Sequence, residues 1–567
     1  MPDNEPSGAE KQTIAPITAV PLLPLTDEIK KIPPGKVDLS DDELIKIPDR
    51  EKIYGRSALA TFSYGMVDPF LTTIAVDLGA TGGQMGWLRA VTNLLGNFVQ
   101  PLFGFLSDRV QRRSIFVALS NILYSSIWVL LLFVNNVTMI IVIAGIISLV
   151  VSMGAPAWMA LLGEITPAKV RGKIIANLNW FSQLPYILST ILGGVLFNYI
   201  VGEFSLGSRV FPRSYFFPIL IGLIAGLASA VVIFTFKEKK AKERAQKLNA
   251  LLHEKDQKKA NKKLKTVIEP CVIKGVLASD KDPQQITNSG SKTVCVSSEI
   301  LVDKKIKTKS KTTHEIPTSS NRILLMLRNK NFMKFTIVFG IQSFFMSMCW
   351  PLFPIRQRSD IGADFLQIAI FSVVMSTATL TTIRYAGRVS DLIGRKPQMI
   401  MNRLILAAMP FSYMFATQVW HIIILHAVIC IPLGLNSAVL EAYLIDVTPE
   451  KERSMYVGFY NMFYGIILFL GSLFGGYLMD FLMGNISFFG FSPGYSQYRA
   501  ITIALAVGFI GRVATSIPFF SLREVRKFPY KFKDLPRIVL RSKRLLPLAM
   551  TVSFYFGIIF ILIAFLI

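Results

Sequence analysis

Several charged residues lie within stretches of the chain that are otherwise apolar, and three of them are candidates for functional chemistry: Asp68, Arg89 and Glu441. Asp68 and Arg89 belong to consecutive apolar segments, about ten and seven residues from the short turn between them, so at ~1.5 Å per helical residue they reach a similar depth. A carboxylate that contacts water inside low-dielectric surroundings can bind and release a proton or a cation. Asp68 is therefore the first candidate for such chemistry. The competing interpretation is a permanent salt bridge to Arg89 that pins two helices together.

Glu441 is the second candidate for this chemistry, although it could merely be a neighbour of the acidic residue Asp446. Uncharged polar residues accompany the charges. One set is spaced i, i+4, i+8, i+11 and so shares one face of a helix: Arg89, Asn93, Asn97 and Gln100. A polar stripe facing hydrocarbon is unfavourable, so we expect it to face a cavity or another helix. Five further amides could hydrogen-bond a small solute or hold helices together: Asn179, Gln183, Gln342, Asn436 and Asn461.

The elements that position these residues must cross a lipid bilayer. Of the 567 residues, 52% are hydrophobic and only 17% are charged, and the mean hydropathy is +0.48. Apolar runs of about twenty residues match a ~30 Å hydrocarbon layer, which predicts an all-α, multi-pass membrane protein and excludes fibrous, collagenous and disordered classes. Twelve segments and a thirteenth show this pattern: 55–78, 84–106, 115–134, 138–162, 174–201, 215–236, 333–353, 365–386, 397–417, 420–445, 455–482, 499–520 and 545–567.

The net charge of +25 is explained by the membrane rather than by nucleic acid. Residues 237–320 hold 20 Lys and Arg against 10 Asp and Glu, and most of the remaining excess flanks apolar segments, where it contacts anionic headgroups. No recognition motif accompanies the charge, so we expect no nucleic-acid partner. Short loops on one side hold 20 basic residues against 5 on the other. The positive-inside rule then predicts a cytoplasmic N-terminus and, after thirteen crossings, an external C-terminus.

The chain is expected to divide into five parts. These are a cytoplasmic tail (1–51), a six-helix bundle (52–236), a basic and largely disordered cytoplasmic loop (237–332), a second six-helix bundle (333–522), and a basic linker with an extra transmembrane helix (523–567). The extra helix is interpreted as an anchor or a partner-packing helix. The four cysteines lack metal-ligand spacing, and no GxxxxGK[ST] run occurs. We therefore expect no metal, no cofactor and no enzyme activity.

An internal repeat relates the two bundles. EITPAKVR (164–171) recurs as DVTPEKER (446–453), an offset of 282 residues. This offset or the next relates further residues: Gly193 and Gly194 to Gly475 and Gly476, Pro69 to Pro351, and Gly104, Asp108, Arg112 and Arg113 to Gly387, Asp391, Arg395 and Lys396. Because each unit holds an even number of crossings, both copies run in the same direction. Parallel repeats of this kind indicate a working site between the halves.

The sequences GFLSDRVQRR (104–113) and GRVSDLIGRK (387–396) resemble the G-x-x-x-D-R-x-G-R-R/K loop motif of the major facilitator superfamily. Both copies follow the second or eighth apolar segment, where that family places them, and the resemblance covers residues 52 to 522. Gln111 and Leu392 depart from the motif. The resemblance implies two six-helix bundles in parallel repeat, here with a thirteenth helix, and a transporter whose halves rock around a central cavity.

In this motif a glycine lets helices approach closely, and an aspartate at a helix end can accept hydrogen bonds from a neighbouring helix N-terminus. We expect the motif and the repeated acids to form two cytoplasmic latches between the halves. Surface ion pairs worth ~0 to 1 kcal/mol each suit a latch that opens in every cycle. The alternative is a set of ordinary positive-inside loops. The residues are Gly104, Asp108, Arg109, Arg112, Arg113, Glu164 and Arg171, with Gly387, Asp391, Arg395, Lys396, Asp446 and Arg453.

The E-x6-R spacing of Glu164 and Arg171 is also loosely similar to the sugar porter branch, but no PESPR-like run follows the sixth segment. The sequence predicts a secondary active transporter of a small organic solute. Protons are the expected coupling ion, because Asp68 and Glu441 lie inside apolar segments. A monomer in the plasma membrane is expected. Two alternatives remain open: an uncoupled facilitator (uniporter), and a membrane receptor or scaffold whose basic central loop recruits a partner.

Overall fold

The computed structural model describes residues 50–110, 112–166, 171–200, 202–206, 209–236, 238, 326–449 and 453–524, and every structural statement below is confined to them. The N-terminal tail, most of the central loop and the predicted thirteenth helix lie outside the described residues. Several side chains within the described helices also lie outside the described part of the structure.

Six helices form the first half of the described chain. They are α1 (Arg50–Val67 and Leu71–Asp77), α2 (Gly82–Phe98 and Gln100–Val110), α3 (Arg113–Ile127), α4 (Val137–Ile165), α5 (Arg171–Tyr199) and α6 (Arg213–Phe234). Two short antiparallel strands, β1 (Glu203–Leu206) and β2 (Arg209–Pro212), form a hairpin between α5 and α6. A 3₁₀ turn extends α3 to Phe133.

Six further helices form the second half of the described chain. They are α7 (Lys330–Met348 and Leu352–Ile355), α8 (Phe365–Ile393), α9 (Arg395–Phe415), α10 (Val419–Val447), α11 (Arg453–Met483) and α12 (Gln497–Ser516). A π-helical turn, Arg356–Asp360, ends α7, and a 3₁₀ turn, Ile517–Ser521, ends α12.

Within the described residues, nine helical stretches are long and apolar enough to cross a membrane, which confirms a multi-pass membrane protein. The remaining three helices, α2, α9 and α10, do not meet this criterion over their described residues, although α10 contains a shorter apolar stretch, Val419–Leu435. That all twelve helices cross the bilayer, with a thirteenth beyond them, stays a prediction.

Prolines interrupt three of these helices. A 3₁₀ turn at Asp68–Phe70, which contains Pro69, divides α1. Pro351, the repeat partner of Pro69, lies at the corresponding break in α7, and Pro101 follows the break in α2. Proline has no N–H to donate and its ring crowds the preceding turn, so each break frees backbone groups inside the bundle. Asp68 is therefore held at an irregular point of its helix.

A buried arginine holds the second half together. Arg512 of α12 is 3% exposed and donates to three backbone carbonyls: Phe345 O at 3.3 Å, Met346 O at 2.9 Å and Leu406 O at 2.9 Å. These carbonyls belong to α7 and α9, so one guanidinium links three helices. The fixed fork of donors in arginine allows this, and lysine could not reproduce it.

Replacing Arg512 by Met should lower the free energy of unfolding by about 1 to 3 kcal/mol, because buried carbonyls lose charge-assisted donors. The measurement is the unfolding temperature of the purified protein in detergent. Arg499→Met is the matched control, because Arg499 is exposed near the start of the same helix. Equal unfolding temperatures for the two variants would contradict a structural role for Arg512.

Candidate functional site

A cavity of about 360 Å³ lies between the two halves, toward the ends of the helices that are predicted to face outside. The first half contributes Pro69, Thr72 and Thr73 of α1 and Arg89 of α2. The second half contributes mainly aromatic and apolar side chains from α7 to α10: Trp350, Phe353, Pro354, Gln357, Ile368, Phe371, Ser372, Met375, Met409, Tyr413 and His426. A small solute bound here would contact both halves at once.

Arg89 is the one charged side chain among the residues that line this cavity. It is half-buried, and its Nε atom is buried without a hydrogen-bond partner. Among the described residues, no ion pair within 4 Å joins Arg89 to Asp68. The two side chains interact electrostatically across a longer gap. The geometry therefore differs from a closed salt bridge.

Asp68 has a solvent-accessible side chain in the interior of the first half. It interacts electrostatically with Arg89 of α2, Tyr124 of α3 and Tyr186 of α5. Tyr64, one helical turn earlier on α1, packs edge-on against Tyr124 with ring centroids 4.2 Å apart. Side chains from three other helices of the first half therefore lie around Asp68. A carboxylate in this position can exchange protons with internal water.

A chain of hydrogen bonds runs along the second-half wall of the cavity. The Gln357 Nε2 atom donates to the Tyr413 hydroxyl at 2.6 Å, and that hydroxyl lies 3.0 Å from His426 Nε2. This role of His426 could not be predicted from the sequence, because a lone histidine in an apolar segment has no spacing partner. Thr72, by contrast, is four residues after Asp68, and helical spacing alone could have placed it on the same face.

The amides of the α2 stripe contact α11 of the opposite half. Asn93 Nδ2 donates to Ser472 Oγ at 3.3 Å, and the Cβ of Asn97 would lie 2.9 Å from a Cβ placed on Gly465. Gln100, the fourth residue of the stripe, is half-buried.

The other candidate amides are dispersed. Gln342 is buried and donates to Ser516 Oγ of α12 at 3.2 Å, so it joins helices of one half. Asn179 is exposed on α5, whereas Gln183 and Asn461 are half-buried. The side chains of Asn436 and Glu441 lie outside the described residues.

The repeated glycines mark where the halves touch near the outer helix ends. A Cβ on Gly82 of α2 would lie 2.6 Å from the Gly476 carbonyl oxygen of α11. A Cβ on Gly194 of α5, the repeat partner of Gly476, would lie 2.7 Å from Ala369 Cβ and 3.1 Å from Leu366 Cα of α8. Neither contact leaves room for a larger residue. The two seams, α2–α11 and α5–α8, are thus related by the internal repeat.

An acidic residue caps a helix of the opposite half at the first seam. Asp480 of α11 is 4% exposed and accepts from the backbone N–H groups of Gly82 at 2.9 Å and Gly83 at 2.8 Å, at the N-terminus of α2. The positive end of the helix dipole stabilises this carboxylate. The repeat partner of Asp480 is Asn198, which donates to Asp364 beside the N-terminus of α8 at 3.4 Å. The first seam therefore carries the stronger polar contact.

The remaining polar contacts between the halves also lie in their outer portion. Arg358 of α7 forms an ion pair with Asp77 of α1, at 2.6 Å from Nε to Oδ1, and Trp87 Nε1 donates to the Tyr477 hydroxyl at 2.8 Å. The stacked rings of Phe197 and Phe365, with centroids 5.2 Å apart, add an aromatic contact between α5 and α8. In the described part of the chain, the halves are therefore closed toward the outer helix ends.

The cytoplasmic motif residues join helices within each half. Arg113 of α3 pairs with Glu164 of α4 at 2.7 Å, and Arg395 of α9 pairs with Asp446 of α10. A Cβ on Gly104 would make ordinary contact with Pro156 of α4, at 3.9 Å. Arg109 and Arg112 are exposed, and Lys396 Nζ donates to the Phe520 carbonyl at 2.7 Å. Neither described ion pair bridges the halves by itself. The side chains of Asp108, Arg171, Gly387, Asp391 and Arg453 lie outside the described residues.

Two glutamates that the sequence analysis missed complete this arrangement. Glu238, just after α6, accepts from the backbone N–H groups of Arg113 at 3.2 Å and Ser114 at 3.1 Å. Glu524, just after α12, accepts from the N–H of Lys396 at 2.8 Å. Each glutamate therefore satisfies free donors at the N-terminus of α3 or α9. Their equivalent positions after the sixth and twelfth helices were the signal that could have found them.

Two repeated halves of six helices around a shared cavity define the fold of a secondary transporter. The chain belongs to the Major Facilitator Superfamily, whose family model matches residues 57–339 and 335–567. The chain is 28% identical over 155 residues to the tetracycline resistance protein, class H, of Pasteurella multocida, and 27% identical over 129 residues to the niacin transporter NiaP of Acinetobacter baylyi. These matches cover 27% and 23% of this chain, and only 38% and 29% of the relatives.

A solved structure has the same fold. A variant of the nucleoside transporter NupG aligns with a TM-score of 0.54 at 10% identity, over 84% of this chain and all of that one. The family and the two relatives are of the transporter type and not of an enzyme type, as the sequence predicted. The structural neighbour shows the fold alone. The loose similarity to sugar porters is not supported by these comparisons, because the relatives are a tetracycline resistance protein and a niacin transporter.

Gly476→Leu should prevent closure of the α2–α11 seam, because the added side chain would overlap the backbone of α2. If outward-open molecules are a minor population, the rate at which a cysteine at Thr72 reacts with a membrane-impermeant reagent should rise about tenfold. The labelling is done from outside intact cells, with the native cysteines replaced.

Gly458→Leu is the matched control for this substitution. Gly458 lies on the same helix, and nothing lies within 4 Å of a Cβ placed there. Equal labelling rates in the two variants would mean that the glycine seam does not close the outer side.

Proposed function

We propose that this protein is a secondary active transporter that carries a small organic solute through the central cavity by alternating access, with protons as the coupling ion. It acts as a monomer in the plasma membrane, with its N-terminus in the cytoplasm and its C-terminus outside. The single observation that carries the proposal is a cavity lined by both halves beneath a closed outer seam. Access to the cavity must then alternate between the two sides of the membrane, with the two outer seams opening as contacts on the opposite side close.

The contacts between the halves support this motion. The described hydrogen bonds across the seams are few, and most join pairs of side chains, so they can separate without unfolding a helix. By contrast, the cytoplasmic ion pairs Arg113–Glu164 and Arg395–Asp446 stiffen each half internally. A half that keeps its own contacts can rock as a rigid body.

Proton coupling is assigned to Asp68. This residue is solvent-accessible, lies at the break in α1, and has no ion pair within 4 Å among the described residues. An ionisable group at membrane depth is costly unless it has a function or a partner. Movement of Asp68 between two water-accessible states would carry one proton in each cycle.

The alternatives make different predictions for flux. A facilitator would equilibrate the solute and ignore a pH gradient, and Asp68 would then serve only to hold α1, α2 and α3 together. A receptor or scaffold would move no solute. The niacin transporter among the relatives makes nicotinate a reasonable first test solute.

Asp68→Asn should abolish accumulation of solute against its gradient while leaving solute exchange intact, because the amide cannot release a proton. The measurement uses proteoliposomes with an imposed pH gradient, labelled nicotinate and the best hits of a thermal-shift screen of solutes. A trapped pH-sensitive dye reports proton movement in the same vesicles. Glu51→Gln is the matched control, since Glu51 is exposed near the start of the same helix.

Accumulation by Asp68→Asn at the wild-type level would remove Asp68 from the coupling mechanism. Equilibration without accumulation in the wild-type protein would establish the facilitator. No flux of any solute in the screen would favour the receptor or scaffold.

A further inference from the structure

The two walls of the central cavity differ in chemistry. The first-half wall is polar, with Arg89 beside Thr72 and Thr73. The opposite wall is mainly aromatic and apolar, with Trp350, Phe353 and Phe371 among its residues. Its polar side chains are Ser372 and the hydrogen-bonded set of Gln357, Tyr413 and His426. A ligand that spans the cavity therefore needs a polar group at one end and a flat apolar body at the other.

The polar end of the ligand must complement a positive charge. Among the described residues, Arg89 has no carboxylate within 4 Å, and its buried Nε has no hydrogen-bond partner. A cation without a close counter-charge in a low-dielectric site is unfavourable, and a bound anion that faces the terminal nitrogens of the guanidinium would stabilise it. Planar guanidinium groups match carboxylates through two parallel hydrogen bonds.

The volume of the cavity and the charge of its lining restrict the class of ligand further. A volume of about 360 Å³ is near the lower limit for small-molecule sites. With one charged side chain in the lining, a dianion would leave a negative charge unmatched, and a cation would be repelled by Arg89. Asp68 does not line this cavity, so it offers no direct contact for a ligand ammonium group.

We propose that this cavity binds a small organic monocarboxylate with a flat apolar body, and that Arg89 binds its carboxylate. The assignment rests on the proposed function in that the cavity holds the transported solute. It adds the chemical class of that solute and the residue that selects it. The threonines orient the carboxylate end, and the aromatic side chains of the second half contact the ring.

The test uses three probes that share a phenyl ring and differ in charge: benzoate, benzamide and benzylamine. Binding to the purified full-length protein is measured by isothermal titration in detergent, which requires neither flux nor a proton gradient. Benzoate should bind at least about tenfold more tightly than the other two probes, because only it forms charge-assisted hydrogen bonds with Arg89. Arg89→Gln should abolish that preference, and Arg89→Lys should retain part of it.

Arg499→Gln is the matched control and should bind benzoate as the wild-type protein does, because Arg499 is exposed at the start of α12. Asp68→Asn should also keep the preference, so a failure of proton coupling can be told apart from a failure of this proposal. Equal or tighter binding of benzamide or benzylamine would overturn it. So would a benzoate preference that survives in Arg89→Gln, or no binding of benzoate at millimolar concentration to the folded wild-type protein.

Discussion

The close approach of backbones at glycine positions is the contact on which the arrangement of the two halves depends. Within a bilayer, apolar surface gains little from leaving lipid, so helices associate through tight packing and a few hydrogen bonds. Gly476 against Gly82, and Gly194 against α8, provide that packing at two equivalent seams. Asp480 and the N-terminus of α2 add a charge–dipole contact at one of them. These contacts close one end of the cavity and leave it lined by both halves.

Charged residues at the helix ends and charged residues inside the bundle differ in how they are paired. Charges near the cytoplasmic helix ends find partners within their own half, as Arg113 does with Glu164. Inside the bundle, Asp68 and Arg89 interact without closing into an ion pair. A solute carboxylate beside Arg89 would place a second negative charge near Asp68, and two carboxylates near one guanidinium repel each other. Loading of an anion and loading of a proton would thereby favour one another.

The membrane class, the repeat and the family could be predicted from the sequence. They depend on the length of apolar runs and on motifs that recur in both halves of the chain. Helix interruptions were implicit in Pro69 and Pro351, although their consequence for Asp68 became clear only from the fold. Side-chain direction could not be predicted. Gln342 has a polar side chain of the kind that lines a transport cavity, but it donates to Ser516 of α12. His426, by contrast, lines the cavity. Whether a side chain faces the cavity or a neighbouring helix depends on the rotation of its helix about the helix axis. The pattern of apolar residues defines this rotation poorly, because lipid-facing and buried surfaces are both apolar.

The latch interpretation illustrates the same limit. Motif spacing predicted two latches between the halves at the cytoplasmic ends, whereas each of the two described ion pairs joins helices of one half. Which helices they join was not contained in the spacing, because each basic residue could reach either its own bundle or the other. Glu238 and Glu524 went unnoticed since an acid after a helix is common, and only the fold brings each beside a helix start.

The two seams differ in the strength of their polar contacts. The α2–α11 seam is therefore the preferred hinge between the halves. The α2–α11 seam holds Asp480 against two backbone donors, whereas the described side chains of its counterpart make the long contact of Asn198 with Asp364. With stronger contacts at one seam than at the other, one half would rotate about the α2–α11 seam instead of moving away from the other half evenly. The end of the cavity that these seams close would then widen first beside α5 and α8, so the opening of the cavity is asymmetric although the fold is nearly symmetric.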